Sequence, residues 1–156
     1  MDANSLSILG FVGWALFTAA TEQSLLRGIP TAPGVYAILL SANKVCRRGT
    51  SDICYIGRAV NQGGIRGRVR QYFHPGPTQS TNIKMRERIS DSTLALRLGF
   101  IVTSTKAAAK RLESDLLLEF EAQHGQLPQY NRQRALDLIS RLDPLIVREN
   151  VDEPTS

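Results

Sequence analysis

The chain is poor in the residues from which proteins build metal clusters. Its 156 residues include two cysteines, Cys46 and Cys54, and two histidines, His74 and His124. No CxxC pair and no Cys/His cluster occurs, which argues against a structural zinc. One disulfide between the two thiols is conceivable, but free thiols in a reducing cytoplasm are the plainer reading. Long apolar runs are lacking too. The longest, Ile8–Ala20, has about thirteen residues, short of the roughly 20 that span a bilayer. The seven residues before it carry only Asp2, where a secretory leader would carry Lys or Arg. That run is expected to dock on the core, with no membrane association. Repeats, low-complexity blocks and Gly/Ser linkers are likewise missing. Acid is in the minority, 14 residues against 19 Lys and Arg. The resulting charge of +5 favours a polyanionic partner only where the charges share a face.

What is present fits one folded domain, since 42% of the residues are apolar and the length holds a single core. Residues 1–32 are expected to be a docking segment with frayed Met1–Ser7 and one helical turn at Ser24–Arg27. Residues 33–142 form the domain proper, and 143–156 a polar tail. After Pro33 the nearly all-apolar Gly34–Leu40 reads as a central strand covered on both faces. Alternation sets Tyr36 and Ile38 on one face. Ser41–Asp52 is polar and reads as an exposed loop. Ile53–Gly57 reads as the returning strand, with Ile53, Tyr55 and Gly57 on a shared face, so that Tyr36 and Tyr55 come side by side. A helix over Ile65–Phe73 gathers Ile65, Val69, Tyr72 and Phe73 into one stripe. Arg68 falls at the edge of that stripe, while Arg66 and Arg70 face solvent. Thr81–Ile89 reads as a short helix carrying Lys84, Arg86 and Arg88. The alternation of Leu94, Leu96, Leu98, Phe100 and Val102 marks the third strand.

Thr105 suits the N-cap of a long helix ending near His124-Gly125. Glu113 lies in the middle of that helix's apolar stripe, among Ala109, Leu116, Leu117 and Phe120. An ionised acid there costs several kcal/mol, roughly, unless it finds a cation. An arginine or a divalent metal would serve equally. A last short helix is expected over Arg132–Leu142, with Asn131 as its N-cap.

The ordered set Gly34-Val35-Tyr36, Tyr55-Ile56-Gly57, Arg68 ahead of Tyr72-Phe73, Ala109-x-x-Leu112-Glu113-x-x-Leu116-Leu117 and Pro128-x-x-Asn131 resembles the GIY-YIG nuclease family. It is most similar to the N-terminal domain of the bacterial excision-repair incision enzyme and its stand-alone relatives, and so suggests DNA repair. The resemblance spans about Pro33 to Asn131. It implies an α+β fold, with a small three-stranded antiparallel sheet flanked by helices, and an endonuclease that cleaves DNA with one divalent ion, Mg²⁺ or Mn²⁺. Position by position it makes Tyr36 and Tyr55 the paired tyrosines, Arg68 the catalytic arginine, Glu113 the metal ligand and Asn131 a helper. Arg58 matches a basic position after the second motif, and Tyr72 an aromatic one near the scissile phosphate.

Three departures stand out. The nineteen positions from Tyr36 to Tyr55 enlarge the loop between them, and Gly63-Gly64 is a small insertion. The 18 residues from Glu113 to Asn131 exceed the usual spacing, which Glu119 would restore; Glu113 is preferred on its local pattern. In this reading the nearby arginine and metal make a tyrosine phenolate accessible. Arg58, Arg66, Arg70 and the cations at 84, 86 and 88 contact the phosphate backbone. His74 could assist. Specificity then comes from loops, a protein partner or self-association. The rival reading keeps the fold and the basic face and binds nucleic acid without turnover.

Overall fold

Val35 to Leu39 leave at most 2% of their surface exposed. A strand with no polar face must be covered on both sides. In a computed structural model of the chain, that strand is the middle of the architecture. The structure describes residues 1–142, with side chains to 136; the tail over 143–156 lies outside the described residues. Strand β2 (Gly34–Val45) sits between β3 (Thr50–Ala59) and β4 (Arg97–Val102), and β1 (Val12–Leu16) pairs with the far edge of β4. All pairings are antiparallel. The expected fold class holds, with four strands in place of three. The fourth comes from inside Ile8–Ala20, which docks by backbone pairing rather than as a simple apolar plug.

One sheet face, with Tyr36, Ile38, Tyr55, Leu98 and Phe100, packs against α2 (Glu22–Arg27), α3 (Gly64–Phe73) and α4 (Ser80–Ser90). The other, with Val35, Ala37, Leu39 and Ile56, packs against α1 (Ala3–Leu9) and α5 (Lys106–His124). Helix α6 (Gln129–Leu142) closes on the β3 edge. The expected stripe on α3 is the buried one: Ile65, Val69, Tyr72 and Phe73. Thr105 caps α5 by accepting from Ala108 N–H at 3.0 Å.

Elsewhere the structure corrects the reading. Met1–Ser7 is not frayed: Asp2 caps α1 through Ser5 N–H, and Leu6 is fully buried. Helix α2 begins at Glu22, two residues ahead of the expected turn. Ser41–Asp52 is mostly strand, because the hairpin runs past the core, where exposed strand needs no apolar alternation. Its turn closes with Cys46 N–H donating to the Gly49 carbonyl at 2.9 Å, and Gly49 has φ +68°, which only glycine adopts freely. Opposite it, Ile38 pairs with Tyr55 but Leu39 pairs with Ile53. Cys54 is therefore a bulge residue, and Ile53 turns to the face away from Tyr55. Strand β4 starts at Arg97, not Leu94, after Ala95 takes φ 44°. Helix α6 starts before Asn131, so Asn131 is not its N-cap.

Candidate active site

Tyr36 pairs across the hairpin with Gly57, and Tyr55 pairs with Ile38. The two tyrosines are thus diagonal neighbours on one face, with ring centroids 6.0 Å apart. A methyl group on Gly57 would lie 2.6 Å from Tyr36 Cζ and Oη and 2.7 Å from Tyr55 Cε1. The space occupied by both rings therefore demands glycine there. Helix α3 adds Tyr72, whose hydroxyl meets that of Tyr36 at 2.5 Å. All three rings are buried. Burial pushes the Tyr36 phenol well up, and Tyr55 adds to it more than Arg68 takes away. Tyr72 moves the same way, from burial first and Tyr36 next. Arg68 by itself does not lower the Tyr36 phenol below its ordinary value.

Arg68 lies over the Tyr72 ring, 4.6 Å from its centroid. Its Nη1 donates to Gln71 Oε1 at 2.7 Å and to Asn82 Oδ1 at 2.9 Å. Burial works against its charge, but the three tyrosine oxygens outweigh burial and hold it charged. Across a cleft of about 630 Å³ stands Glu113. Its carboxylate accepts from Arg58 Nη1 at 3.2 Å, with 13% of its side chain exposed against 43% for Arg58. Burial raises the Glu113 pKa, and Arg58 and Arg134 oppose the rise. Lys110 also lines this cleft.

Asn131 reaches the outer edge of β3. Its Oδ1 accepts from Ile56 N–H at 2.9 Å and its Nδ2 donates to Ile56 C=O at 2.8 Å. Ile56 follows Tyr55, so this clamp holds the strand that carries the tyrosine. Glu119 is exposed and accepts from Gln123 at 3.1 Å, away from the cleft. Arg66 donates to the Ile29 carbonyl at 2.7 Å, and His74 pairs with Glu22. Arg70 is exposed on α3. None of these three lines the cleft. On α4, Arg88 stacks on Tyr130, 3.6 Å from the centroid.

Sequence reasoning missed Arg134, whose Nη1 donates to Tyr55 Oη at 2.7 Å. It missed Gln71 and Asn82 as holders of Arg68, and Lys110 as a lining residue. For three of them a signal existed: Arg134, Gln71 and Lys110 each lie three residues from Asn131, Arg68 and Glu113 respectively, on the same helical face.

Among the described residues no three His, Cys, Asp or Glu converge. A closed all-protein metal cage is thus not what these residues form. A single half-buried carboxylate fits a hard cation that keeps most of its waters and takes phosphate oxygens, as Mg²⁺ does. Among the described residues no helix is long and apolar enough to cross a membrane.

No protein-family model matches the chain. The UvrABC system protein C of Caldicellulosiruptor saccharolyticus is 34% identical over 107 residues, 69% of this chain and 15% of that protein. That of Chlorobium luteolum is 36% identical over 109 residues, 70% and 14%, and that of Microcystis aeruginosa 31% over 105 residues, 67% and 14%. The chain spans 14–15% of the length of these relatives. A solved structure is the GIY-YIG N-terminal endonuclease domain of UvrC from Thermotoga maritima, bound to its catalytic divalent cation, magnesium. It is 23% identical, with TM-score 0.43, and the match covers 70% of this chain and 94% of that one.

Proposed function

We propose that this chain, which belongs to the GIY-YIG nuclease family, is a metal-dependent endonuclease that hydrolyses DNA phosphodiester bonds. One observation carries the reading: the half-buried acid Glu113 and the charged Arg68 line one cleft from separate helices. Glu113 is the residue that would hold the cation. A divalent ion bound there supplies charge neutralisation and acidifies water.

The chain's own residues do the rest. Arg68, fixed by Gln71 and Asn82, offers a planar fork to the non-bridging oxygens of the scissile phosphate. Arg58 opposes the rise that burial imposes on the Glu113 pKa and, being exposed, can turn to a substrate phosphate. Burial raises the phenol pKa of both Tyr36 and Tyr72. They form the floor beneath Arg68, and their joined hydroxyls set its height over the cleft. Tyr55 completes that floor, and Asn131 keeps its strand in register. Lys110 and Arg58 give sequence-independent backbone affinity. Arg70, Arg66 and His74, outside the cleft, are left to contact flanking duplex. The substrate's structure is set by whatever covers the cleft rim, a partner protein or a second copy included.

The second reading is a nucleic-acid-binding module without turnover. It is favoured by one fact: the Arg58–Glu113 pair satisfies the acid with no metal. Nicking of supercoiled plasmid with Mg²⁺ or Mn²⁺ separates the two. Glu113→Ala and Arg68→Ala are expected to abolish nicking, Tyr36→Phe to weaken it, and Glu119→Ala to leave it intact. Equal nicking by all of them would defeat these assignments. Salt-sensitive binding with no metal-dependent product would favour the module.

A further inference from the structure

The cleft contains an arginine to which the resemblance gives no role. Arg134 sits on α6, one turn after the Asn131 clamp, so its helix is registered directly against β3. Its Nη1 donates to Tyr55 Oη, and the residue also lines the cleft beside Arg68 and Glu113. Tyr55 itself is 1% exposed and does not line that cleft. Arg134 therefore stands between the phenol and the space a phosphate would occupy.

The contacts around the cleft separate its arginines. Arg58 is in direct contact with the Glu113 carboxylate, whereas Arg134 acts on that carboxylate only from beyond ion-pair distance. Arg68 and Arg134 are held by neutral groups, an amide pair in one case and a phenol in the other. A guanidinium held by neutral acceptors keeps its unit charge for an anion. Arginine has five N–H donors, and the bond to Tyr55 leaves enough for a bidentate grip on phosphate. The Tyr55 oxygen also keeps the Arg134 charge in place against burial.

We propose that Arg134 is a second catalytic arginine, gripping the scissile phosphate opposite Arg68, and that Tyr55 is the residue that positions it. This rests on the nuclease reading above. Arg68 and Arg134 bracket the tyrosine floor, one over Tyr72 and one at Tyr55. The phenols act from below on the two guanidiniums, and the guanidiniums act on the substrate.

Single-turnover nicking of supercoiled plasmid with Mg²⁺, over a range of protein concentrations, tests the proposal. Arg134→Ala should lower the maximal rate by about 100-fold or more, with the half-saturating concentration changed by less than about threefold. Added guanidinium should restore part of that rate, and Arg134→Lys should retain part of it. Tyr55→Phe should cost less than Arg134→Ala and add nothing in the Arg134→Ala background. A raised half-saturating concentration with an unchanged maximal rate would overturn the proposal, as would full multiplication of the two losses. If melting curves show Arg134→Ala unfolded, Arg134→Lys and Tyr55→Phe carry the test. A wild type that gives no metal-dependent nick defeats the nuclease reading itself. A wild type that nicks no faster than Arg134→Ala defeats the role of Arg134 alone.

Discussion

Truncating Asn131 separates a strand clamp from a substrate-contacting group. Its side chain serves both backbone groups of Ile56 on the unpaired side of β3, at 2.9 and 2.8 Å. Among the described residues that edge has no neighbouring strand, so the carboxamide does what a fifth strand would. Asn131→Ala leaves one N–H and one C=O without their partner. Each such loss costs about 1–3 kcal/mol when water cannot replace it. The site is only part-buried, so the sum should lie near 2–4 kcal/mol. For a chain of this size each kcal/mol moves Tm by about 2–4 °C, which puts the expected drop at roughly 5–15 °C. Thermal unfolding by circular dichroism reads it directly, and hydrogen exchange at the Ile56 amide should accelerate with it. Asn131→Asp sharpens the test. Its carboxylate can accept from the N–H but repels the carbonyl, so it should be unstable at neutral pH and recover once protonated, when it can donate again. A Tm for Asn131→Ala within about 1 °C of wild type, with cleavage lost, would refute the clamp and place the amide on the substrate.

Glu113→Gln should melt higher than wild type at neutral pH. The folded-state pKa of Glu113 is raised above its ordinary 4.5, chiefly by burial. The folded chain thus binds that proton more tightly, and stability falls as pH climbs from that ordinary value through the raised one. The gap between variant and wild type should close below about pH 4.5; a variant that is less stable at neutral pH contradicts the burial argument. The lost pair with the exposed Arg58 is worth little. Millimolar Mg²⁺ should raise the wild-type Tm and leave that of Glu113→Gln unmoved, since a ligand that binds only the folded state stabilises it. Gly57→Ala should cost about 1–3 kcal/mol by overpacking and should part the Tyr36–Tyr72 hydroxyls. An unchanged melting curve would show that the two rings can yield.

The fold was legible where one pattern fixed one element. The apolar run Gly34–Leu40 lies inside β2, the α3 stripe is buried where helical periodicity set it, and Thr105 caps α5 as its residue type suggested. The hairpin arm and β1 were not legible, because exposed strands carry no alternation for a core to read. Asn131 was assigned to the wrong structural job because Asn at a helix start reads as a cap; that its amide turns outward to Ile56 is a tertiary fact. Glu113 announced itself by lying on an apolar stripe, where an acid calls for a cation, and the structure gives it a place in the cleft and a contact with Arg58. Arg134 had no such contradiction to expose it. An arginine early in an amphipathic helix is unremarkable until a phenol is found beneath it.

The central claim is that Glu113 grips a divalent cation in this cleft. A crystal soaked in Mn²⁺, read by anomalous scattering, tests it most directly. The account predicts a peak bonded to a Glu113 carboxylate oxygen, with Arg58 drawn away from it. A cleft without a peak, and Glu113 still paired to Arg58, would contradict it.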